Sequence, residues 1–377
     1  MAREIAFSGP DITDNEIAMV EQVIRSGWLA HGKYSERLEE LFCEFIGAKY
    51  ATTVSNCTAG LHLSCLTAGF GVGDEVIVPA QTHVATAHAV EYTGARVVFV
   101  DVDPITGNIT VEEMKKKLTD ATKGVIPVHM AGYPCDMMAI AKLCKERDLV
   151  LIEDCAHALG TTIKGVHAGN YGISGNFSFY PTKQITTGEG GVVISNDENI
   201  IDEIKKLKAF GINTPPEMRS KPGVYDVQGL GYNYRMTDFQ AALGAGQMER
   251  YGENLTKRKR NGKYYTELLA DTEEINFSEY SDDNSYFLFQ VIFDEQIDRD
   301  DVLLKLKEKG VGVSIHYATP VPMMSYYRRK YGFEEDEFPS AMFYGRQSVS
   351  LPVHSKIDEN DIRYICSILK KAIESAK

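Results

Sequence analysis

A lysine followed closely by glycines, and a carboxylate at the end of an apolar run, are the chemically promising groups of this chain. Lys183 closes the run Phe177-Ser178-Phe179-Tyr180-Pro181-Thr182-Lys183, and Gly188-Glu189-Gly190-Gly191 comes soon after it. Upstream, Leu149-Val150-Leu151-Ile152 stops abruptly at Glu153-Asp154. A lysine amine can form a Schiff base with a carbonyl. A carboxylate beside a pyridine nitrogen keeps that nitrogen protonated, so the ring draws electrons from a bound substrate. The pair suits pyridoxal 5'-phosphate (PLP). Lysine and aspartate are common, so the weight falls on the neighbouring segments.

Ser55-Asn56-Cys57-Thr58-Ala59-Gly60 precedes a helical pattern, where free backbone N–H groups and the helix dipole favour an anion. An ordinary Ser or Thr N-cap reads the same way. His83, in Pro79-Ala80-Gln81-Thr82-His83-Val84-Ala85-Thr86, offers a flat ring for stacking, or simply a histidine at a helix start. Asp154 and His157 share Glu153–Gly160, a spacing that lets both converge beyond the strand end, although Asp154 could merely cap the next segment. Ser178 offers a hydroxyl to a phosphate, or is one polar position in a strand. The glycines after Lys183 serve equally well in a hairpin turn.

These groups need a scaffold. Short apolar runs at Glu75–Pro79, Arg96–Val102, Gly124–Val128, Leu149–Ile152 and Gly191–Ser195 predict strands. Helical patterns lie between several of them, near Thr58–Ala68, Thr82–Tyr92, Val111–Leu118 and Met137–Arg147. Strands buried on both faces and alternating with helices predict a mostly parallel sheet in an α/β domain. Thr13-Asp14-Asn15-Glu16 has the capping-box form and opens the first helix. After about residue 250 the pattern changes to a smaller α+β unit. There, Ser285–Phe293 and Gly312–His316 predict strands, and Arg299–Lys309 and the segment from Asp358 predict helices. Gln240–Tyr265 predicts one long connecting helix, and Asn213–Asp226 a loop long enough to suspect function. The expected division is 1–250 and 251–377.

At 377 residues the chain exceeds one ordinary core. A net charge of −13 argues against a nucleic-acid partner, which requires a basic stripe. Any phosphorylated ligand must then be held by local cations and helix N-termini. No stretch has the length of a membrane span, and Met1–Ser8 lacks a signal-peptide core. Seven scattered cysteines with no CxxC pair suggest reduced thiols and a cytoplasmic location. No metal-ligand motif is present, so no metal is expected.

Taken in order, these segments resemble the DegT/StrS-type sugar aminotransferases, PLP enzymes of fold type I. The resemblance begins at Ser26-Gly27-Trp28 and takes in Ser55–Leu61, Gly73–Pro79, Thr82–Thr86 and Pro127-Val128-His129. It continues through Glu153–Gly160, Phe177–Gly191, Gly231-Tyr232-Asn233-Tyr234-Arg235-Met236-Thr237-Asp238 and Ser350-Leu351-Pro352-Val353. It implies a large PLP-binding domain followed by a small C-terminal one. Lys183 then matches the Schiff-base lysine, which also shuttles the proton, and Asp154 the partner of the pyridine nitrogen. Cys57, Thr58 and Ser178 match the phosphate cup. Asn233 matches an asparagine that reaches the phosphate of a neighbouring subunit, which implies a homodimer with shared sites. His83 and His157 stand where the family more often has an aromatic residue and glutamine, and Cys57 where it usually has glycine.

The implied reaction moves an amino group from an amino acid, most often L-glutamate, through pyridoxamine 5'-phosphate (PMP) to a nucleotide-linked keto-deoxy sugar. Trp28, His316 and Tyr317 are candidate sugar contacts. Lys221, Arg328 and Arg329 are candidate cations for the pyrophosphate, or else ordinary exposed charges. A keto-cyclitol or keto sugar acid is an alternative acceptor. Family dehydratases replace the lysine with histidine, and a non-catalytic regulator would have lost Lys183 or Asp154; this chain keeps both.

Overall fold

The structure is a computed structural model that describes residues 4–212, 221 and 223–376. The expected loop Asn213–Asp226 falls largely outside the described residues. The first large unit is a sheet built from short, β-branched, apolar segments. Its strands are β1 (Tyr50–Val54), β2 (Glu75–Pro79), β3 (Arg96–Val100), β4 (Thr122–Val125), β5 (Val150–Asp154), β8 (Ser174–Ser178) and β9 (Gly191–Ser195). Between β5 and β8, β6 (Thr162–Ile163) and β7 (Val166–His167) pair as a separate small hairpin. The order is β1-β9-β8-β5-β4-β2-β3, and only β9 runs against its neighbours.

Helices cover both faces, as a mostly parallel sheet requires. They are α1 (Asp14–Ser26), α2 (Lys33–Ile46), α3 (Cys57–Thr67), α4 (Val84–Glu91), α5 (Val111–Lys117), α6 (Met137–Glu146), α7 (Glu198–Leu207) and α8 (Asp238–Glu249). Strand alternation divides the core. On β2, Ile77 packs with Leu38 of α2 and Ile140 of α6, while Val76 and Val78 pack with Leu61 of α3 and Val90 of α4. The expected capping box opens α1: the backbone N–H of Thr13 donates to Glu16 at 2.6 Å.

The chain then continues through α9 (Tyr251–Leu269), α10 (Arg299–Glu308), α11 (Ser325–Tyr331), α12 (Pro339–Gln347) and α13 (Glu359–Glu374). An antiparallel sheet of β10 (Ile275–Asn276), β11 (Phe289–Phe293) and β12 (Ser348–Leu351) lies among them. Its core takes Val291, Phe293, Leu306, Ile365 and Leu369, and also Ile5 from the start of the chain. In the other direction, Val321, Tyr327 and Phe338 pack into the cluster of β2 and β3. No helix among the described residues is long and apolar enough to cross a membrane.

Three sequence expectations are corrected. Gln240–Tyr265 is two helices, broken at Arg250 (φ −113°, ψ 9°). Its guanidinium is drawn aside by Glu16 at 2.9 Å and Asp11 at 3.0 Å, a tertiary pull that outweighs local helix propensity. The strand expected from Ser285 starts only at Phe289, because Tyr286 takes a left-handed φ of 49° that no strand accommodates. Gly312–His316 makes a single bridge, Ser314 to Ser350, instead of a ladder.

Candidate active site

The carboxyl ends of parallel strands are where open α/β sheets bind ligands. Here the end of β5 presents Asp154, the end of β8 presents Ser178, β2 leads to His83, and β1 leads into α3. Together with the loop of Lys183 and the pair His316–Tyr317, they line a cavity of about 620 Å³.

Asp154 is buried and fixed by two donors. The Thr86 hydroxyl reaches one oxygen at 2.7 Å, and the backbone N–H of Ala156 reaches the other at 3.0 Å. At the start of α3, the Asn56 side chain accepts the N–H of Ala59 at 2.8 Å. The N–H groups of Cys57 and Thr58, in the same first turn, have no carbonyl to reach within the helix and border the cavity. A Cβ on Gly191 would stand 2.8 Å from the Cys57 nitrogen, so only glycine lets β9 pass this turn. Burial pushes the Cys57 thiol well above its ordinary range, with Asp154 adding to the effect. Cys57 is therefore a neutral wall here.

Lys183 lies across the cavity. Burial lowers its amine to a pKa of about 8, against smaller opposing effects of Asp154 and Cys57. Its Nζ sits 4.5 Å above the ring centre of Phe287. Three histidines border the same space, and desolvation lowers the pKa of each, with the lysine charge acting in the same direction. His316 falls to about 3, His157 well below its ordinary value, and His83 moves the same way. His83 caps α4, its Nδ1 accepting the Ala85 N–H at 3.2 Å. His157 shares a 3.3 Å hydrogen bond through Nε2 with the Tyr317 hydroxyl, while its buried Nδ1 has no partner. Gln81 holds the Tyr317 carbonyl at 2.8 Å, and Ser350 reaches His316 Nδ1 at 3.1 Å.

Of the residues singled out from sequence, Cys57, Thr58, His83, Asp154, His157, Ser178, Lys183, His316 and Tyr317 line this cavity. Trp28, Lys221, Asn233, Arg328 and Arg329 do not, and all five are exposed. Arg328 pairs with Glu334 at 3.1 Å on α11, and the Trp28 indole N–H donates to the His31 carbonyl at 3.0 Å. Sequence reasoning missed Thr86 and Phe287. Thr86 lies within a quoted motif, but nothing in spacing shows that it meets Asp154 across 68 positions. Phe287 carries no chemical signal at all.

His129, Glu153 and Cys155 also lie within metal-binding reach of one another. Their atoms are already engaged. Glu153 accepts the N–H groups of Gly169, Tyr171 and Gly172 at 2.7, 2.7 and 2.9 Å. His129 Nδ1 accepts from Cys135, which leaves Nε2 to donate to Glu153 at 3.4 Å. The cluster braces the end of β5.

The cavity fits PLP on its own observations: a fixed carboxylate, a depressed amine, a helix start with free N–H groups, and an orphaned buried imidazole nitrogen. Comparison with known proteins agrees. The chain is 35% identical to the spore coat polysaccharide biosynthesis protein SpsC of Bacillus subtilis, over 99% of this chain and 98% of that one. It is 34% identical to the GDP-perosamine synthase of Escherichia coli O157:H7, over 96% of each. The fold matches Spr1654 of Streptococcus pneumoniae in its PMP form with a TM-score of 0.93 at 29% identity, covering 99% of this chain and 100% of that one. The PLP form of the same protein matches at 0.92. The profile of one family spans residues 10–370, and with it the cavity's chemistry has a name: the chain belongs to the DegT/DnrJ/EryC1/StrS aminotransferase family.

Proposed function

We propose that the protein transfers an amino group from L-glutamate to the keto group of a nucleotide-linked keto-deoxy sugar, supplying an amino sugar for a cell-surface polysaccharide or glycoconjugate. One observation carries this reading: the Lys183 amine and the Asp154 carboxylate border one cavity, which His83, His157 and His316 also line. Bound PLP supplies an electron-withdrawing ring that stabilises negative charge on the substrate carbon. Asp154 would hold its pyridine nitrogen, and His157 Nδ1 its phenolic oxygen. The N–H groups of Cys57 and Thr58, with the Ser178 hydroxyl, would hold its phosphate. His83 would lie against its ring.

Lys183 is the proton carrier in this scheme. With a pKa near 8, part of the population is neutral at neutral pH, so Nζ can take a proton from the donor's α-carbon. In the second half Nζ returns a proton to the sugar carbon. Neutral His316 and the Tyr317 hydroxyl can hydrogen-bond sugar hydroxyls without competing for that proton. A sugar acceptor is supported by the names of the relatives, a polysaccharide-synthesis protein and a GDP-perosamine synthase.

Among the described lining residues, Lys183 is the sole Lys or Arg, which leaves none to spare for a pyrophosphate. We assign that end of the acceptor to the exposed cations Lys221, Arg328 and Arg329, with Trp28 as a further substrate contact. Asn233 would serve the site of a second copy in a homodimer, and the chain would divide into domains 1–250 and 251–377. The test is 2-oxoglutarate release from L-glutamate in the presence of GDP-, dTDP- and UDP-linked 4-keto-6-deoxy sugars, a keto-cyclitol and a keto sugar acid. Release with a nucleotide sugar alone is the expected result. Turnover of only the unlinked ketones would overturn the assignment.

A further inference from the structure

We infer that Phe287 is a positioning residue for the Lys183 amine and the His157 ring, and that Arg258 holds it in place; this rests on Lys183 being the working amine. The Phe287 ring is buried, 4.5 Å from Lys183 Nζ and 4.4 Å, centre to centre, from His157 at an interplanar angle of 30°. It touches both groups without itself lining the cavity. The segment that carries it is clamped by several elements. The backbone N–H groups of Ser285 and Leu288 donate to Gly132 and Ala131 at 3.2 and 3.1 Å. The Ser285 hydroxyl meets the His157 carbonyl at 3.2 Å, and Gln184, next to Lys183, reaches that carbonyl and Ser285 at 3.2 and 3.3 Å.

Arg258 of α9 is the unusual member. It is buried, and the Asp11 carboxylate that acts on its charge is itself paired with Arg250. One terminal nitrogen donates to the Tyr286 and Phe287 carbonyls at 3.2 and 3.4 Å, while its Nε has no partner. A buried charge spent on two carbonyls is costly, and here it fixes Tyr286 in its left-handed turn and Phe287 behind the lysine. An aromatic face attracts an ammonium, so the ring opposes the loss of the lysine's proton that burial promotes. The other groups around Lys183 are Asp154, Cys57, His83, His157 and His316.

Competitive acetylation of the full-length, cofactor-free chain across pH, read by mass spectrometry, gives the titration of each lysine separately. Phe287→Leu keeps apolar bulk and removes the ring, so the Lys183 pKa should fall by about half a unit to one unit. Phe287→Tyr should restore it. Arg258→Lys keeps the charge but loses the fork, and should move Lys183 the same way by less. Lys208, which is buried elsewhere, should not move in any variant. Should Phe287→Leu not fold, Phe287→Met at nearly equal volume replaces it. An unchanged Lys183 titration in a folded variant, or Lys183 and Lys208 shifting together, overturns the inference. The visible band on PLP addition, present in the wild type and absent in Lys183→Ala, reports independently on whether Lys183 is the working amine.

Discussion

A buried lysine, Lys208, and a half-buried one, Lys183, share a pKa of about 8 and differ in everything else. Lys208 sits where α7 ends, with Nζ 2.6 Å from the Thr52 hydroxyl, 2.7 Å from the Thr53 carbonyl and 3.9 Å from Glu39. Two of its donors are hydrogen-bonded, and Glu39 supplies a counter-charge. Its own backbone carbonyl accepts the N–H of Tyr234, so it anchors the start of the arm that carries Asn233. Lys183 has a ring beneath it and a cavity in front. A depressed pKa reports burial in both cases. What separates chemistry from architecture is whether the amine retains unused donors that face an open volume.

The largest effects should separate the two lysines outright. Lys183→Ala should remove the visible PLP band and lower turnover by at least about 10³-fold, while Lys208→Met retains the band. Both are read by absorbance and 2-oxoglutarate release. Asp154→Asn should keep the fold and lower turnover by about 10²–10³-fold, since it removes a charge aimed at the ring nitrogen. Lys208→Met should instead show in unfolding experiments, at about 1–3 kcal/mol, because Thr52 and Thr53 lose a buried donor and Glu39 a counter-charge. Full activity loss in that variant with unchanged stability would break the comparison.

The pH dependence gives a subtler contrast. Both folded-state values of about 8 lie below the ordinary 10.5. Below pH 8 folded and unfolded chains both hold these protons, and the burial cost is fully present. Between about 8 and 10.5 the unfolded chain holds lysine protons that the folded chain has released, so these two groups push stability up with pH, against buried thiols such as Cys57 and Cys155, which push it down. Urea unfolding across this window should show stability rising less, or falling more, with pH in Lys183→Met than in the wild type, and by a similar margin in Lys208→Met. The smallest expected effect is His83→Phe. It loses the cap on α4, at about 1 kcal/mol by thermal unfolding, and keeps an aromatic ring and the PLP band.

Much of this site is legible in the sequence, because its groups sit beside local signals. Asp154 ends an apolar run, Lys183 precedes glycines, and Cys57 and Thr58 open a helix. The strands Glu75–Pro79 and Gly191–Ser195 have the bounds their apolar runs predict. β1 and β8 escape such a reading, since Tyr50-Ala51-Thr52-Thr53-Val54 and Ser174-Gly175-Asn176-Phe177-Ser178 carry too many polar and small residues to form an apolar run. The break at Arg250 and the late start of β11 depend on partners far along the chain. Phe287 is the sharpest case: one phenylalanine among 16 acquires a role only when folding brings Lys183 over it.

The most direct test of the central claim is to load the protein with PLP, reduce it with borohydride, and find by peptide mapping which lysine carries the cofactor. Stoichiometric label on the peptide containing Lys183, with Lys208 unmodified, is the predicted result. Label on Lys208 or on an exposed lysine, or no label at all, would contradict the account.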